Sequence, residues 1–361
     1  MGIDDAALNW ISNYLKDRRQ RVVVDGSTSD WKLIKAGVPQ GSVLGPLLLL
    51  VYINDLPDNI RCGIKIFADD TTLFVEFNRE NAQEMNSQLQ NDILELERWA
   101  ERWLVTFNPS KTKCVHICPR NAIKTTSPLV MCNEHIEHSS SHGALGLEMN
   151  EEGRWNKQID SICTNGNRKV NMLYPLKNKV DRETIHRLIA ALVRPTLEYA
   201  CIVWDNCTSN EKKQIDRVYE NSLRLVTGAP RWCKIESLYD ETSEIRCQIR
   251  RDKQKLIFMH KIVHKNAPEY ILGLVQRNQN PRPGHEYDVI IPHSNTSHYK
   301  DTYIPTASVQ WNQLPYRLKS INNEERFKRQ LNIEPKFRKP KPNTYFKLGD
   351  RKTNIILGRI R

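Results

Sequence analysis

Disulfide chemistry is the first thing this chain does without. Its nine cysteines are odd in number, and no two of them form a Cys-x-x-Cys pair. That excludes a disulfide framework and fits scattered, reduced thiols of an intracellular protein. The opening "MGIDDAALNW" lacks the basic-then-apolar order of a secretory leader. Long hydrophobic runs are missing as well. The most apolar stretch, "VLGPLLLLVYI" from Val43 to Ile53, is too short to span a bilayer and contains Pro46. It reads as a buried helix, and no membrane partner is expected. No segment repeats internally. Acids are scarce relative to bases, with 42 Asp+Glu against 54 Lys+Arg and a net charge of +12. Such a balance favours a polyanionic partner such as nucleic acid, through phosphate neutralisation and steering.

What is present divides by texture. The 361 residues suffice for two or three structural units. Residues 1–20 carry Leu8, Ile11 and Leu15 at helical spacing behind a capping Asp4 or Asp5. "RQRVVVDGSTSDWKLIKAG" predicts two strands around an Asp25-Gly26 turn, and a Pro/Gly loop then leads into the apolar helix. Two β-rich runs, 64–67 and 72–77, flank "ADD" and predict a hairpin. Met85, Leu89, Ile93, Leu96, Ala100 and Trp103 step by three and four, so one long amphipathic helix should pack against a sheet. Strands and turns follow to about Asn150. Beyond Trp155 helices are expected over 156–178, 182–201, 209–227 and 242–265, with Pro195 bending or ending one of them. After Pro268 short Pro- and Asn-rich runs take over. The end of the chain, "PKFRKPKPNTYFKLGDRKTNIILGRIR", is strongly basic with one acid, Asp350, and reads as a disordered tail.

Four constellations are candidates for chemistry. Asp69 and Asp70 sit side by side in "IKIFADDTTLFVEF". At a hairpin turn both carboxylates can approach one point, where their repulsion calls for a proton or a cation. Mg²⁺ takes such oxygen ligands while keeping waters and phosphates, the arrangement of two-metal attack at phosphorus. An acid pair in a turn is also an ordinary solvated turn. In "AGVPQGSVLGP", Gly37 and Gly41 permit close backbone approach and Gln40 offers a donor and an acceptor. A strand-to-helix turn without a ligand explains that stretch equally. "NPSKTK" places Lys111 and Lys113 in a loop, suited to a triphosphate or to general acid catalysis, or simply to solvent. Finally, Cys132, His135, His138 and His142 crowd "CNEHIEHSSSH". Their spacing matches no structural zinc pattern. Cys114, His116 and Cys118 alternate along a strand, which would place all three on one face, and read as a satisfied core edge.

Taken in order, "GVPQGSVLGPLLLLVYINDLP", "IKIFADDTTLF", the long helix, "NPSKTK" and "LGLEMN" resemble consecutive motifs of reverse transcriptases, above all those of non-LTR (LINE-type, jockey-like) retrotransposons. "LVRPTLEYACIVWD" (Leu192 to Asp205) and "VQWNQLPYRLK" (Val309 to Lys319) resemble regions that follow the polymerase core in the same elements, so the likeness extends to about residue 330. It implies an α+β fold: a partial reverse-transcriptase palm of antiparallel sheet and packed helices over 1–150, then a helical thumb-like domain over 151–266. A C-terminal region over 267–330 and the basic tail over 331–361 complete the division.

The resemblance also implies roles. Asp69 would ligate Mg²⁺ (Mn²⁺ being the alternative ion), with Asp70 a supporting acid and Lys111 on the triphosphate side, Lys113 being the fallback. Phe67 and Ala68 would pack beside the primer end or incoming nucleotide. Gly37, Gln40 and Gly41 would line the nucleotide and template pocket, and Leu145–Leu147 would lie near a primer-gripping hairpin. Partners would be an RNA template, a DNA primer and dNTPs, with action in the nucleus. The remaining metal-binding Asp of this family lies on a strand upstream of the first helix here, together with the fingers, and is not found in this sequence. The expectation is therefore an RNA-directed DNA polymerase, Mg-dependent in nucleotidyl transfer, whose present chain is inactive alone. A non-catalytic, nucleic-acid-binding remnant of a mobile element is the alternative.

Overall fold

Short apolar runs separated by turns give this chain small β pieces first and long helices later. The computed structural model describes residues 4–118, 127–277 and 281–339. They fall into two compact units, one running up to Ser139 and the other from Ser140 onward, the latter also taking in Ile117 and Cys118.

In the first unit, α1 (Asp5–Leu15) starts at Asp4, whose carboxylate accepts from the Ala7 N–H at 2.8 Å, satisfying one of the free donors of a first helical turn. Strands β1 (Arg19–Gln20), β2 (Val23–Val24), β3 (Ser27–Thr28) and β4 (Lys32–Leu33) follow. β2 pairs with β3 around Asp25 and Gly26, both at positive φ (48° and 80°), as a twisted two-residue hairpin requires. β1 pairs with β4 outside them. Helix α2 (Leu44–Tyr52) holds Pro46 in its first turn. The sequence reading of a buried helix fails here: only Gly45 is buried, and Leu47 and Leu50 are more than half exposed, because no described element covers that face. Tyr52 docks edge-on against Trp99 and Trp103.

β5 (Gly63–Phe67) and β6 (Asp70–Phe74) form the expected hairpin, and α3 (Ala82–Trp103) the expected long helix. β7 (Lys113–Cys114), β8 (Val130–Met131), β9 (Glu134–His135) and β10 (Glu137–His138) complete the unit. The expected mixture of helices and antiparallel sheet holds, the sheets being small. Among the described residues the strands pair only two by two, and β7 pairs with β10 in parallel. Most are two residues long, too short to present a ladder to a third strand, and a lone hairpin needs a helix to lean on. α3 supplies it. Ile93, Leu129, Met131 and Ile136 form a small core on which Leu73, Phe107 and Cys114 pack. Asp92, buried on α3, accepts from the backbone N–H groups of Arg61 and Cys62, the latter at 2.6 Å, and so fixes the chain where it enters β5.

The second unit opens with a hairpin, β11 (Ser141–Ala144) and β12 (Leu147–Asn150), whose turn residues Leu145 and Gly146 both have positive φ. Helices then dominate: α4 (Asn156–Leu173), α5 (Arg182–Leu188), α6 (Arg194–Glu198), α7 (Cys201–Trp204), α8 (Ser209–Thr227), α9 (Ile235–Thr242) and α10 (Cys247–Val263). The helix expected over 182–201 is interrupted by a π-helical turn, Ile189–Val193, just ahead of Pro195, which has no N–H to donate. Ile159, Ile185, Ile189, Leu197, Ile215 and Leu223 are wholly buried in the first core of this unit. Gly166 lets α4 approach closely, since a Cβ there would meet Leu197 and Val218 at 2.8 and 2.9 Å. The stretch after Pro268 is more ordered than its composition suggests. α11 (Glu269–Leu272), α12 (Ser297–Lys300), α13 (Tyr303–Asn312), α14 (Tyr316–Lys319) and α15 (Glu324–Ile333) build a second core around Trp311 and Phe327, closed by Leu256, Met259 and Val263 of α10. Phe337 joins it. The expected disordered tail lies outside the described residues from position 340 on.

Charges are buried between these helices, each with partners. Asp205 is held by Arg251 at 2.7 Å, by Lys255 and by Lys212 at 3.6 Å. Glu244 accepts from Arg194 at 2.7 Å and Tyr219 at 2.9 Å, and contacts His186 at 2.9 Å. Burial alone would raise the Glu244 carboxyl. The His186 hydrogen bond, the Arg194 charge, the Tyr219 hydroxyl and Arg250 outweigh it and hold the group down to about 2.

Two outcomes are expected. Asp92→Ala leaves two N–H groups without an acceptor and should cost about 2–4 kcal/mol in urea unfolding, with Asp92→Asn costing less. A depressed carboxyl stabilises fully above its unfolded pKa and loses that stabilisation as pH falls. The urea midpoint should therefore fall between pH 4.5 and about 2, and Glu244→Gln should remove that part of the decline while costing about 3 kcal/mol or more at neutral pH.

Candidate active site

The hairpin carrying Asp69 and Asp70 is built by alternation. Its register pairs Ile64 with Leu73 and Ile66 with Thr71, and these four are half-buried. The opposite face pairs Gly63 with Phe74, Lys65 with Thr72 and Phe67 with Asp70. There the Phe74 ring lies over Gly63, where a Cβ would meet it at 2.3 Å. Phe67 is 63 % exposed. Asp70 therefore stands across from Phe67 on the outward face, and Asp69 occupies the turn itself. Ala68, the first turn residue, has φ +52°, a conformation that costs a residue with a Cβ about 1–2 kcal/mol and that turns the chain in two residues. Ala68, Asp69 and Asp70 are all exposed. Among the described residues neither carboxylate has a hydrogen-bond or ion-pair partner.

Lys111 sits in a turn organised by Asn108. The Asn108 side chain accepts from Ser110 at 2.7 Å and its carbonyl from Thr112 at 3.1 Å. Lys111 is exposed, and its amine has no described partner. Lys113, by contrast, is ion-paired with Glu137. Of the two lysines, Lys111 is the one available to an incoming anion. Phe107 and Cys114, on either side of that turn, rest on the same small core as Leu73 of β6, so the lysine loop and the acid hairpin share one support.

Gly37, Gln40 and Gly41 lie in a separate loop. Both glycines have φ near +80° and open space where a Cβ would be. Arg18 donates to the carbonyls of Ala36 (3.4 Å) and Gly37, and Ser42 closes onto Pro39 at 2.8 Å. Gln40 lines a shallow cleft with Arg18, Arg19, Gln20, Ile34, Val38 and Pro39. The hairpin acids do not line it. The structure thus brings Phe67, Ala68, Asp69 and Asp70 together, gives Lys111 a shared support, and leaves the glycine loop held by Arg18.

Other residues fall into structural roles. His116 stacks edge-on against His138 at 4.5 Å and Phe77 at 6.0 Å, and no group of three His, Cys, Asp or Glu able to hold a metal occurs among the described residues. The Leu145 carbonyl accepts from Tyr199 at 2.8 Å, and Gln158 braces the same turn through Glu148 N–H at 2.9 Å. Asp92, which anchors the hairpin, escaped the sequence reading. Its signal was an acid next to Ile93 on the buried stripe of an amphipathic helix.

Residues 1–164 match the family described as reverse transcriptase (RNA-dependent DNA polymerase). Over 292 residues, 75 % of the chain, it is 27 % identical to the RNA-directed DNA polymerase from mobile element jockey of Drosophila funebris. It is 26 % identical over 287 residues to the Drosophila melanogaster jockey protein. It is 28 % identical over 244 residues, 63 % of the chain, to the probable RNA-directed DNA polymerase from transposon BS of the same fly. The chain spans about a third of the length of the jockey relatives (31 %) and 26 % of the BS one. No solved structure matches. Residues 1–164, which hold the acid hairpin, are thus similar to reverse transcriptases, and most of the chain is similar to RNA-directed DNA polymerases of mobile elements.

Proposed function

We propose that the chain is part of an RNA-directed DNA polymerase of a non-LTR retrotransposon, with Asp69 and Asp70 at its centre of nucleotidyl transfer. The observation that carries this reading is the hairpin: two adjacent carboxylates, exposed and without a described partner, one in a two-residue turn and one at the start of the strand after it, inside the family match. Carboxylate oxygens are the donors Mg²⁺ takes, and Mn²⁺ accepts the same set. Asp69 would ligate the ion, with Asp70 beside it. Bound there, the metal would polarise phosphoryl oxygens and lower the pKa of the attacking hydroxyl.

The chain's own residues supply the rest. Phe67 and Ala68 flank the acids and would meet the primer end. Gly37, Gln40 and Gly41 would accept the nucleotide and template base, using backbone open to close approach. Lys111 would hold the triphosphate and give a proton to departing pyrophosphate as the primer 3′ oxygen bonds to the α-phosphorus. A two-metal site takes more ligands than two adjacent acids provide, and no third His, Cys, Asp or Glu joins them in a metal-holding group among the described residues. The further carboxylate must come from outside the described residues, and the palm and thumb of the polymerase are the context in which the two units would act. A second reading, nucleic-acid binding without catalysis, is favoured by the net charge of +12.

Primer extension on an RNA template in Mg²⁺ tests both. The chain alone should extend nothing. A longer polymerase that contains this chain and the further acid should extend, and Asp69→Ala should reduce that at least about a thousandfold, or about 4 kcal/mol of transition-state stabilisation. Extension by the chain alone that Asp69→Ala abolishes would contradict the need for an outside acid. Extension by the longer protein that ignores Asp69→Ala would overturn the site.

A further inference from the structure

The glycine loop is held at its two ends by side chains. Space is open where a Cβ would stand on Gly37 and Gly41, so packing does not fix those positions. At the far end the Ser42 hydroxyl donates to the Pro39 carbonyl at 2.8 Å and accepts from the Gly45 N–H at 3.0 Å, which ties the loop to the start of α2. At the near end the clamp is Arg18. Its Nε donates to the Leu15 carbonyl at 3.0 Å, and its Nη2 to the carbonyls of Ala36 at 3.4 Å and of Gly37. Leu15 closes α1, where the last carbonyls lack a partner within the helix and favour a cation. The Arg18 backbone is itself fixed, its carbonyl accepting from the Ile34 N–H at 2.8 Å. Arg18 is half-buried and makes no ion pair among the described residues. Its guanidinium is a fork of N–H donors that serves two segments at once. Between the two clamps Gln40 is exposed, and its side-chain amide has no described partner.

We infer that Arg18 is a positioning residue for the Gly37–Gly41 loop, which it holds ready for an incoming nucleotide and its template base. The ligands rest on the polymerase reading above; the clamp rests on the geometry. Gly37 and Gly41 both lie at φ near +80°, and glycine loses more freedom on ordering than any other residue. A loop released at Ala36 and Gly37 would be ordered only when the ligand binds, and that cost would come out of affinity. Held at both ends, the loop meets the ligand already shaped. Arg18 bonds to backbone and not to the reacting atoms. Its loss therefore weakens binding and leaves the chemical step alone.

Two measurements test this. Endoproteinase Lys-C cuts after lysine, and the exposed Lys35 directly precedes Ala36. In the full chain, Arg18→Gln should speed cleavage after Lys35 about tenfold by raising local opening, while cleavage after Lys65 in β5 stays unchanged. Arg21→Gln, which removes a nearby charge that lies over Trp31, should change neither. In a longer polymerase that contains this chain and the further acid, Arg18→Gln should raise the KM for dNTPs about tenfold and alter kcat less than about twofold. Arg18→Lys, which lacks the fork, should recover only part of that loss. Unchanged cleavage after Lys35 overturns the clamp, whatever the extension assay gives. Faster cleavage with an unchanged KM, or with kcat falling as far as kcat/KM, overturns its part in nucleotide binding. A longer polymerase that extends nothing even without substitution counts against the polymerase reading alone, and cleavage after Lys35 still decides the clamp.

Discussion

The second unit depends on one helix having two buried faces. α10 sends Cys247 into one core and Leu256, Met259 and Val263 into the other. Between them it must bury Arg250, Arg251 and Lys255. A row of cations in a low-dielectric interior is tolerated only where acids meet it with good geometry. Glu198, Asp205 and Glu244 do so from three other segments. The charges therefore fix which segments can pack against α10, and the apolar residues fill the space that remains.

That constraint explains two stretches whose likeness to the family reaches beyond the polymerase core. "LVRPTLEYACIVWD" contains Arg194, Glu198, Cys201, Trp204 and Asp205. Arg194 and Glu198 belong to the charge network, Asp205 is its deepest acid, and Trp204 is fully buried with its indole N–H donating to the Tyr199 carbonyl at 2.8 Å. "VQWNQLPYRLK" contains Trp311, which donates to the Tyr287 carbonyl at 2.9 Å, and Lys319, buried against Asp288. Both motifs are accounted for by folding. The acid hairpin is the opposite case: Asp69 and Asp70 do nothing visible for the fold, and the proposed role in nucleotidyl transfer is what would account for them.

Legibility in the sequence followed the same divide. Regular periodicity showed α3 and α8, and the β-rich runs on either side of "ADD" showed the β5–β6 hairpin, because each pattern is local. The apolar run at Val43 misled, since hydrophobicity says a helix needs cover without saying that the described chain supplies it. α9, α13 and α15 were missed because each is short, ten residues or fewer, and Trp311 and Phe327 reach a core assembled from segments far apart in sequence. The candidate site could be named from adjacency and family motifs. That Lys113 is tied to Glu137 while Lys111 stands open could not, because it depends on β7 pairing with β10.

The central claim is that the Asp69–Asp70 hairpin is where a divalent ion binds. Paramagnetic broadening by Mn²⁺ in backbone amide NMR spectra measures this directly, because it registers even weak occupancy close to the ion. Broadening centred on Phe67–Asp70 at low millimolar Mn²⁺, and absent in Asp69→Asn, is the predicted result. Broadening centred elsewhere, or equal in Asp69→Asn, would contradict it.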